Sequence, residues 1–232
     1  MRLFAISDLH LSLGVDKPMD IFGDRWVGHE RRMREAWDAM VGPDDWVLVG
    51  GDTSWGLTLD EAKPDLDWVG ARPGTKILIK GNHCTWWTSL AKLQRVIHPS
   101  VRLLQNNAWK LPDATVVIGT RLWDPPGAPW AEPGAEKIFA REVERLKLSI
   151  AAGEKLAGRR TIALVHYPPR YTDGRETPAV PLLQAAGVSQ CVYGHLHGKD
   201  HQYGFQGEAG GIRYHLASVD AIDFRPIELP PG

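Results

Sequence analysis

Six short apolar runs, rich in β-branched residues and bounded by Gly, Asp or Asn, restrict this chain to a layered α/β architecture. They are "RLFAIS" (2–7), "WVLVG" (46–50), "KILIK" (76–80), "TVVIGT" (115–120), "TIALVH" (161–166) and "CVYG" (191–194). Each has the length and composition of a buried strand, and longer segments of helical period lie between them. Met33, Trp37, Met40 and Val41 mark one face of a helix beginning near His29, and Phe139, Val143, Leu146 and Ile150 mark another. After residue 200 the chain is glycine-broken and alternating, which suits a hairpin or sheet edge. Residues 124–134 carry Pro125, Pro126, Pro129 and Pro133, the signature of a stiff surface loop. At 232 residues and 43% apolar composition the chain can bury a large core. A single domain over 1–232, or at most two lobes around a shared sheet, is expected.

Charge and cysteine content exclude several classes. Lys and Arg total 27 against 28 for Asp and Glu, so no nucleic-acid or acidic-membrane footprint is indicated. The opening "MRLFAISDLH" is too short an apolar stretch for a signal peptide or a membrane span. The only cysteines, Cys84 and Cys191, form neither a disulfide framework nor a C-x-x-C pair, and a reducing cytoplasm is the simplest compartment.

The placement of the polar residues is more specific. Nearly every expected strand ends on a cluster of Asp, Asn or His: "SDLH", "GGD", "KGNH", "VHYPP" and "YGHLH". Parallel strand ends collect on one side of an α/β sheet, the usual place for a site, so the clusters should converge. They hold His10, His83, His166, His195 and His197 together with Asp8, Asp52 and Asn82. So many polar groups in one crevice are costly to desolvate unless they bind something. Imidazole, carboxylate and amide donors without thiolate suit Mn, Fe or Zn. Seven or eight donors exceed one tetrahedral site, which argues for two ions about 3.5–4 Å apart bridged by a carboxylate. With Asp8 and Asp52 as the anionic ligands, such a site stays positive and attracts a phosphate ester. It also supplies a metal-bound hydroxide at neutral pH.

At these residues the sequence resembles the calcineurin-like metallophosphoesterase family. The matching blocks are "DLH" (8–10), "GD" (51–52), "GNH" (81–83), His166 in "HYPP" and "GHLH" (194–197), in order. "MDIFGDRW", "GDTSW", "KPDLDW" and "FRPIEL" also resemble a bacterial branch of phosphohydrolases. The resemblance implies a four-layer αββα sandwich of two mixed sheets flanked by helices. It implies that Asp8, His10 and His197 hold one metal, that Asn82, His166 and His195 hold the other, and that Asp52 bridges them. His83 becomes the acid that protonates or stabilises the leaving oxygen. The expected activity is hydrolysis of a phosphate mono- or diester, carried by a small molecule or a phosphoprotein, through a metal-bridging hydroxide. The alternatives are a phosphodiesterase or nuclease acting on nucleotides, and a metal-stabilised interaction scaffold with weakened catalysis.

Cys84 motivates the last alternative, because the family usually has Asp or Glu there to orient His83. Three readings of Cys84 stand at this point: a neutral packing residue, a thiolate substituting for the carboxylate, and a direct metal ligand. "DTSWG" (52–56) falls one residue short of a nucleophile elbow, and "HERRM" (29–33) lacks the second histidine of H-E-x-x-H. Both read as coincidence. Trp55, Trp86 and Trp87 read as packing residues that could wall a pocket, Arg121 as half of an ion pair, and Cys191 as a buried strand residue.

Overall fold

The computed structural model describes residues 1–126, 128 and 131–231. These form two compact units, Met1–Leu103 with Ala217–Pro231, and Leu104–Leu216. No helix among the described residues is long and apolar enough to cross a membrane.

The first unit is built on β1 (Leu3–Ile6), β2 (Trp46–Val49), β3 (Thr75–Leu78) and β4 (Val101–Leu103), all parallel. A C-terminal strand, Ile227–Glu228, runs antiparallel to β1 at the edge. Nearly every residue of β1, β2 and β3 is buried, which explains why they read as unbroken apolar runs. Helix α1 (His29–Met40) buries Met33 and Trp37 as its spacing requires. Helix α2 (Leu59–Ala71) starts at a capping box: Thr58 Oγ accepts the Glu61 N–H, and the Glu61 carboxylate accepts the Thr58 N–H. Its apolar stripe is interrupted by the buried Asp65 and its interior by Pro64, so its period is hard to see in the sequence. A short helix, α3, covers Leu90–Leu93.

The second unit carries β5 (Trp109–Lys110), β6 (Thr115–Thr120), β7 (Arg160–Val165), β8 (Val188–Tyr193), β9 (Gly207–Ala209) and β10 (Ile212–Leu216). Their order in the sheet is β5-β6-β7-β8-β10-β9, parallel except at the two edges. The glycine-broken stretch forms the expected edge hairpin, β9 and β10 turning at Gly210 and Gly211, whose φ values of 58° and 80° suit glycine. Helix α4 (Ala135–Glu154) buries Phe139 and Leu146 but leaves Val143 and Ile150 half-buried, and it turns Glu142 and Ser149 inward. Both inward polar groups are satisfied. Glu142 accepts from Thr120 and Arg121, while Ser149 Oγ accepts the Gly119 N–H and donates to the Asn107 carbonyl. Helix α5 spans Ala179–Ala185.

Two mixed sheets with flanking helices give the α/β layered class expected of the chain. All six apolar runs are strands. The expected 124–134 loop falls partly outside the described residues, at Gly127, Pro129 and Trp130; its other residues up to Gly134 form no helix or strand.

Candidate metal centre

In the first unit the parallel order brings the ends of β1, β2 and β3 to one edge, and the loops that follow are laced together. Asp8 N–H donates to the Gly51 carbonyl at 3.0 Å, His10 N–H to Asp52 at 2.9 Å, and Leu11 N–H to Thr53 at 3.0 Å. The His83 N–H donates to Asp52 Oδ1 at 2.8 Å. Asp8, His10, Asp52, Asn82 and His83 are thereby assembled on three adjacent loops. Asp8, His10 and Asp52 are buried, Asn82 is half-buried and His83 is exposed.

The backbone at three of these residues is unusual. Asp8, His10 and Asp52 hold φ at 61°, 45° and 44°, in the left-handed region that costs a non-glycine residue about 1–2 kcal/mol. Gly81 is equally constrained, because a Cβ there would lie 2.1 Å from Asp52 Oδ1. The turn before Asn82 must therefore carry no side chain, or the carboxylate would be displaced.

Aromatic rings frame this set. Trp55 stacks on His10 with centroids 4.6 Å apart and leans on His83 at the same distance. Lys17 places its ammonium 3.5 Å from the Trp55 ring centroid. Trp55 thus supports two of the expected functional histidines, whereas Trp86 and Trp87 belong to the hydrophobic core. Other supports were not visible as such in the sequence. Ser218 Oγ donates to Asp8 Oδ2 at 3.0 Å from a segment more than two hundred residues away. His29 Nε2 lies 3.3 Å from the His10 carbonyl, which only accepts, so that nitrogen carries the hydrogen. Burial pushes the His29 pKa down, keeping it a neutral donor. In "DTSWG", the Ser54 hydroxyl donates to buried Asp65, which also accepts the Leu13 N–H at 2.8 Å. Burial raises the Asp65 pKa, and the pair ties down the loop that carries Asp52.

Cys84 is fully buried. Its Sγ accepts the Gly81 N–H at 3.3 Å and lies 3.9 Å from Asp52 Oδ1. Burial first, and the Asp52 carboxylate second, push the thiol up to about 12, which favours the thiol form over the thiolate.

The second unit contributes the remaining histidines. His166 follows β7, and His195 and His197 follow β8; the Gly194 N–H donates to the His166 carbonyl at 3.0 Å. The rings of His166 and His195 lie 5.2 Å apart at 69°. Tyr167 stacks on His195 at 3.8 Å, a support that "HYPP" contains without announcing. His195 has φ at 71°, a fourth left-handed residue among the expected ligands. Arg121, at the end of β6, forms the expected ion pair, with Glu142 at 3.1 Å. Its carbonyl accepts the N–H groups of His166 and Tyr167 at 3.2 and 3.0 Å, which anchors that strand end.

Comparison with known proteins places these features. The chain is 42% identical over 79 residues to the gene 66 protein of Mycobacterium phage L5. That alignment takes in 33% of this chain and 37% of the phage protein, so the chain matches little more than a third of that relative's length. Among solved structures, the phosphopantetheinyl hydrolase of Mycobacterium tuberculosis superposes with a TM-score of 0.62 at 17% identity, over 100% of this chain and 96% of the other. A Thermus thermophilus protein superposes at 0.61 with 11% identity, over 98% and 97%. At such identities the likeness is one of fold. The sequence itself goes further, because the calcineurin-like phosphoesterase family matches residues 1–199, a span that includes every histidine, aspartate and asparagine described at the strand ends. The chain belongs to the calcineurin-like phosphoesterase family.

Proposed function

We propose that the protein is a metal-dependent phosphoesterase in which Asp8, His10, Asp52 and Asn82 of the first unit and His166, His195 and His197 of the second serve a dinuclear centre. The observation that most supports this is the left-handed backbone at Asp8, His10, Asp52 and His195. Each such residue costs on the order of 1–3 kcal/mol, and strain of this kind is retained where geometry serves function. The donor chemistry fits as well: carboxylates, imidazoles and an amide suit Mn, Fe or Zn, and Cys84 points at Asp52 as a neutral thiol. Two ions held there would supply positive charge for a phosphate ester and a hydroxide to attack it.

The chain's own groups account for the rest. Asp52 would be the carboxylate shared by both ions, and the absence of a side chain at Gly81 keeps its Oδ1 in place, because a Cβ there would lie 2.1 Å from it. His83, exposed and braced by Trp55, would be the acid that gives a proton to the leaving oxygen. The Asp52 carboxylate accepts its backbone N–H, so the acid and the bridging ligand are tied to one loop geometry. The substrate is a phosphate mono- or diester of a small molecule or phosphoprotein. Two buried free cysteines are in keeping with a reducing cytoplasm. The intact donor set favours catalysis over a scaffold role.

Metal analysis and a hydrolysis assay on the Mn-, Fe- or Zn-loaded protein test this together. Two equivalents of metal and turnover of p-nitrophenyl phosphate or its bis-ester are expected. Asp52→Asn should lose more metal than His197→Ala, because it leaves both ions a ligand short and raises their mutual repulsion. Retention of two equivalents and full activity in Asp52→Asn would overturn the bridging role.

A further inference from the structure

The second unit contains a cavity of about 400 Å³ that His195 helps to line. Its volume lies within the range of small-molecule sites. Tyr171, Tyr203, Pro168 and Leu196 provide apolar walls, and the polar groups that join His195 are two carboxylates, Asp124 and Asp200. We propose that this pocket receives the alcohol portion of the phosphate ester, and that it selects a flat, partly apolar alcohol that is neutral or cationic and carries hydrogen-bond donors. The inference rests on the assignment of His195 as a metal ligand.

The walls are built rather than incidental. Tyr171 pairs with Gly204 in an antiparallel bridge, Thr172 N–H donates to the Tyr203 carbonyl at 3.0 Å, and Thr172 Oγ donates to the Gln202 carbonyl at 2.9 Å. These bonds fix the two tyrosines relative to each other. Burial raises the Tyr171 pKa, so its phenol stays neutral. Tyr167, stacked on His195, holds the imidazole that borders the pocket. Asp200 sits on the short 3-10 helix Gly198–Tyr203, and its N–H donates to the His197 carbonyl at 2.9 Å.

Charge decides the substrate class. A cation lies close by, since the Arg175 guanidinium is 5.5 Å from the Tyr171 ring, but it is paired with Asp173 at 2.5 Å. Among the described residues the lining contains two carboxylates and no Lys or Arg. With the positive charge of the centre offset by the ester's own phosphate, an alcohol bearing a carboxylate or a second phosphate would be disfavoured beside these carboxylates, whereas ammonium, amino or hydroxyl groups would find acceptors. The tyrosine faces favour a planar body and accept a cation.

The phosphate esters of tyramine and of 4-hydroxyphenylacetate separate these cases, because both release a phenol and differ chiefly in a remote charge. With the metal-loaded full chain, kcat/KM for tyramine phosphate should exceed that for the acid by roughly tenfold or more at low salt. That ratio should shrink as salt screens the carboxylates. In Asp124→Asn/Asp200→Asn it should fall towards one. Equal rates for the two esters, or a ratio unchanged in the double variant, would overturn the inference. Lack of hydrolysis of both esters and of phenyl phosphate under every metal would instead overturn the phosphoesterase reading. A binding measurement stands apart from turnover: tyramine itself should perturb the NMR resonances of Tyr203 and His195 at lower concentration than 4-hydroxyphenylacetate. Equal perturbation, or none by either, counts against the pocket.

Discussion

The Cys84 thiol lies 3.9 Å from Asp52 Oδ1, the same oxygen that accepts the His83 N–H. Where the family resemblance put a partner for the His83 imidazole, the structure puts a partner for the Asp52 carboxylate. Its influence on His83 is therefore exerted through the backbone, by way of Asp52 and the turn at Gly81.

Cysteine chemistry should follow from that burial. Cys84 and Cys191 are both fully buried, and iodoacetamide at pH 7.5 should modify neither in the native protein and both in urea. Mass spectrometry of the two samples reads this directly. Rapid native alkylation of Cys84 with loss of activity would restore the thiolate reading.

His83 should matter in proportion to the leaving group's need for a proton. His83→Ala should lower hydrolysis of alkyl phosphates by roughly two to four orders of magnitude and spare p-nitrophenyl esters much more. Steady-state rates on the two substrate types, at equal metal content, provide the comparison. Equal losses would contradict the acid role.

Glu142 anchors the end of β6, where the Arg121 carbonyl accepts the His166 N–H. Its carboxylate is 1% exposed and accepts from Thr120 at 2.8 Å, Arg121 at 3.1 Å and Arg145 at 2.9 Å. Glu142→Ala leaves the buried Arg121 guanidinium uncompensated, so a loss of about 3–5 kcal/mol is expected in urea denaturation. Glu142→Gln keeps an acceptor for Thr120 and should lose less.

Lys76 gives a pH signature. Its buried ammonium donates to the carbonyls of Gly70 at 3.2 Å, Arg72 at 2.6 Å and Gly74 at 2.9 Å, at the C-terminal end of α2. Burial, with Arg72 second, lowers its pKa from 10.5 to about 8. The folded state therefore releases this proton first, and between about pH 8 and 10.5 the unfolded chain binds more protons. Stability should rise with pH across that window relative to Lys76→Met, by up to about 3 kcal/mol. Denaturation of both proteins at pH 7.5 and pH 10 measures the difference.

The strands and the polar clusters that follow them were legible because their signals are local: β-branched runs bounded by turn residues, then Asp, Asn and His at their ends. What escaped depended on tertiary partners. Helix α2 is hidden by Pro64 and by Asp65, whose buried carboxylate makes sense only once Ser54 and Leu13 bond to it. In α4 the true inner face passes through Glu142 and Ser149, because β6 presents Thr120 and the Gly119 N–H to meet them. The roles of Ser218 and His29 beside Asp8 and His10 likewise arise from contacts distant in sequence.

The last element of the first unit also bears on how the chain folds as it is made. Ala217–Pro231 supplies the edge strand beside β1, the Ala217 carbonyl that accepts the Ser7 N–H, the Val219 N–H that donates to the Ser7 carbonyl, and the hydroxyl that donates to Asp8. Translation delivers all of these after Leu104–Leu216 has emerged. The second unit is contiguous and can close on the ribosome, whereas the first, although synthesised earlier, waits with β1 unpaired on one side and Asp8 lacking its hydroxyl donor until the second is complete.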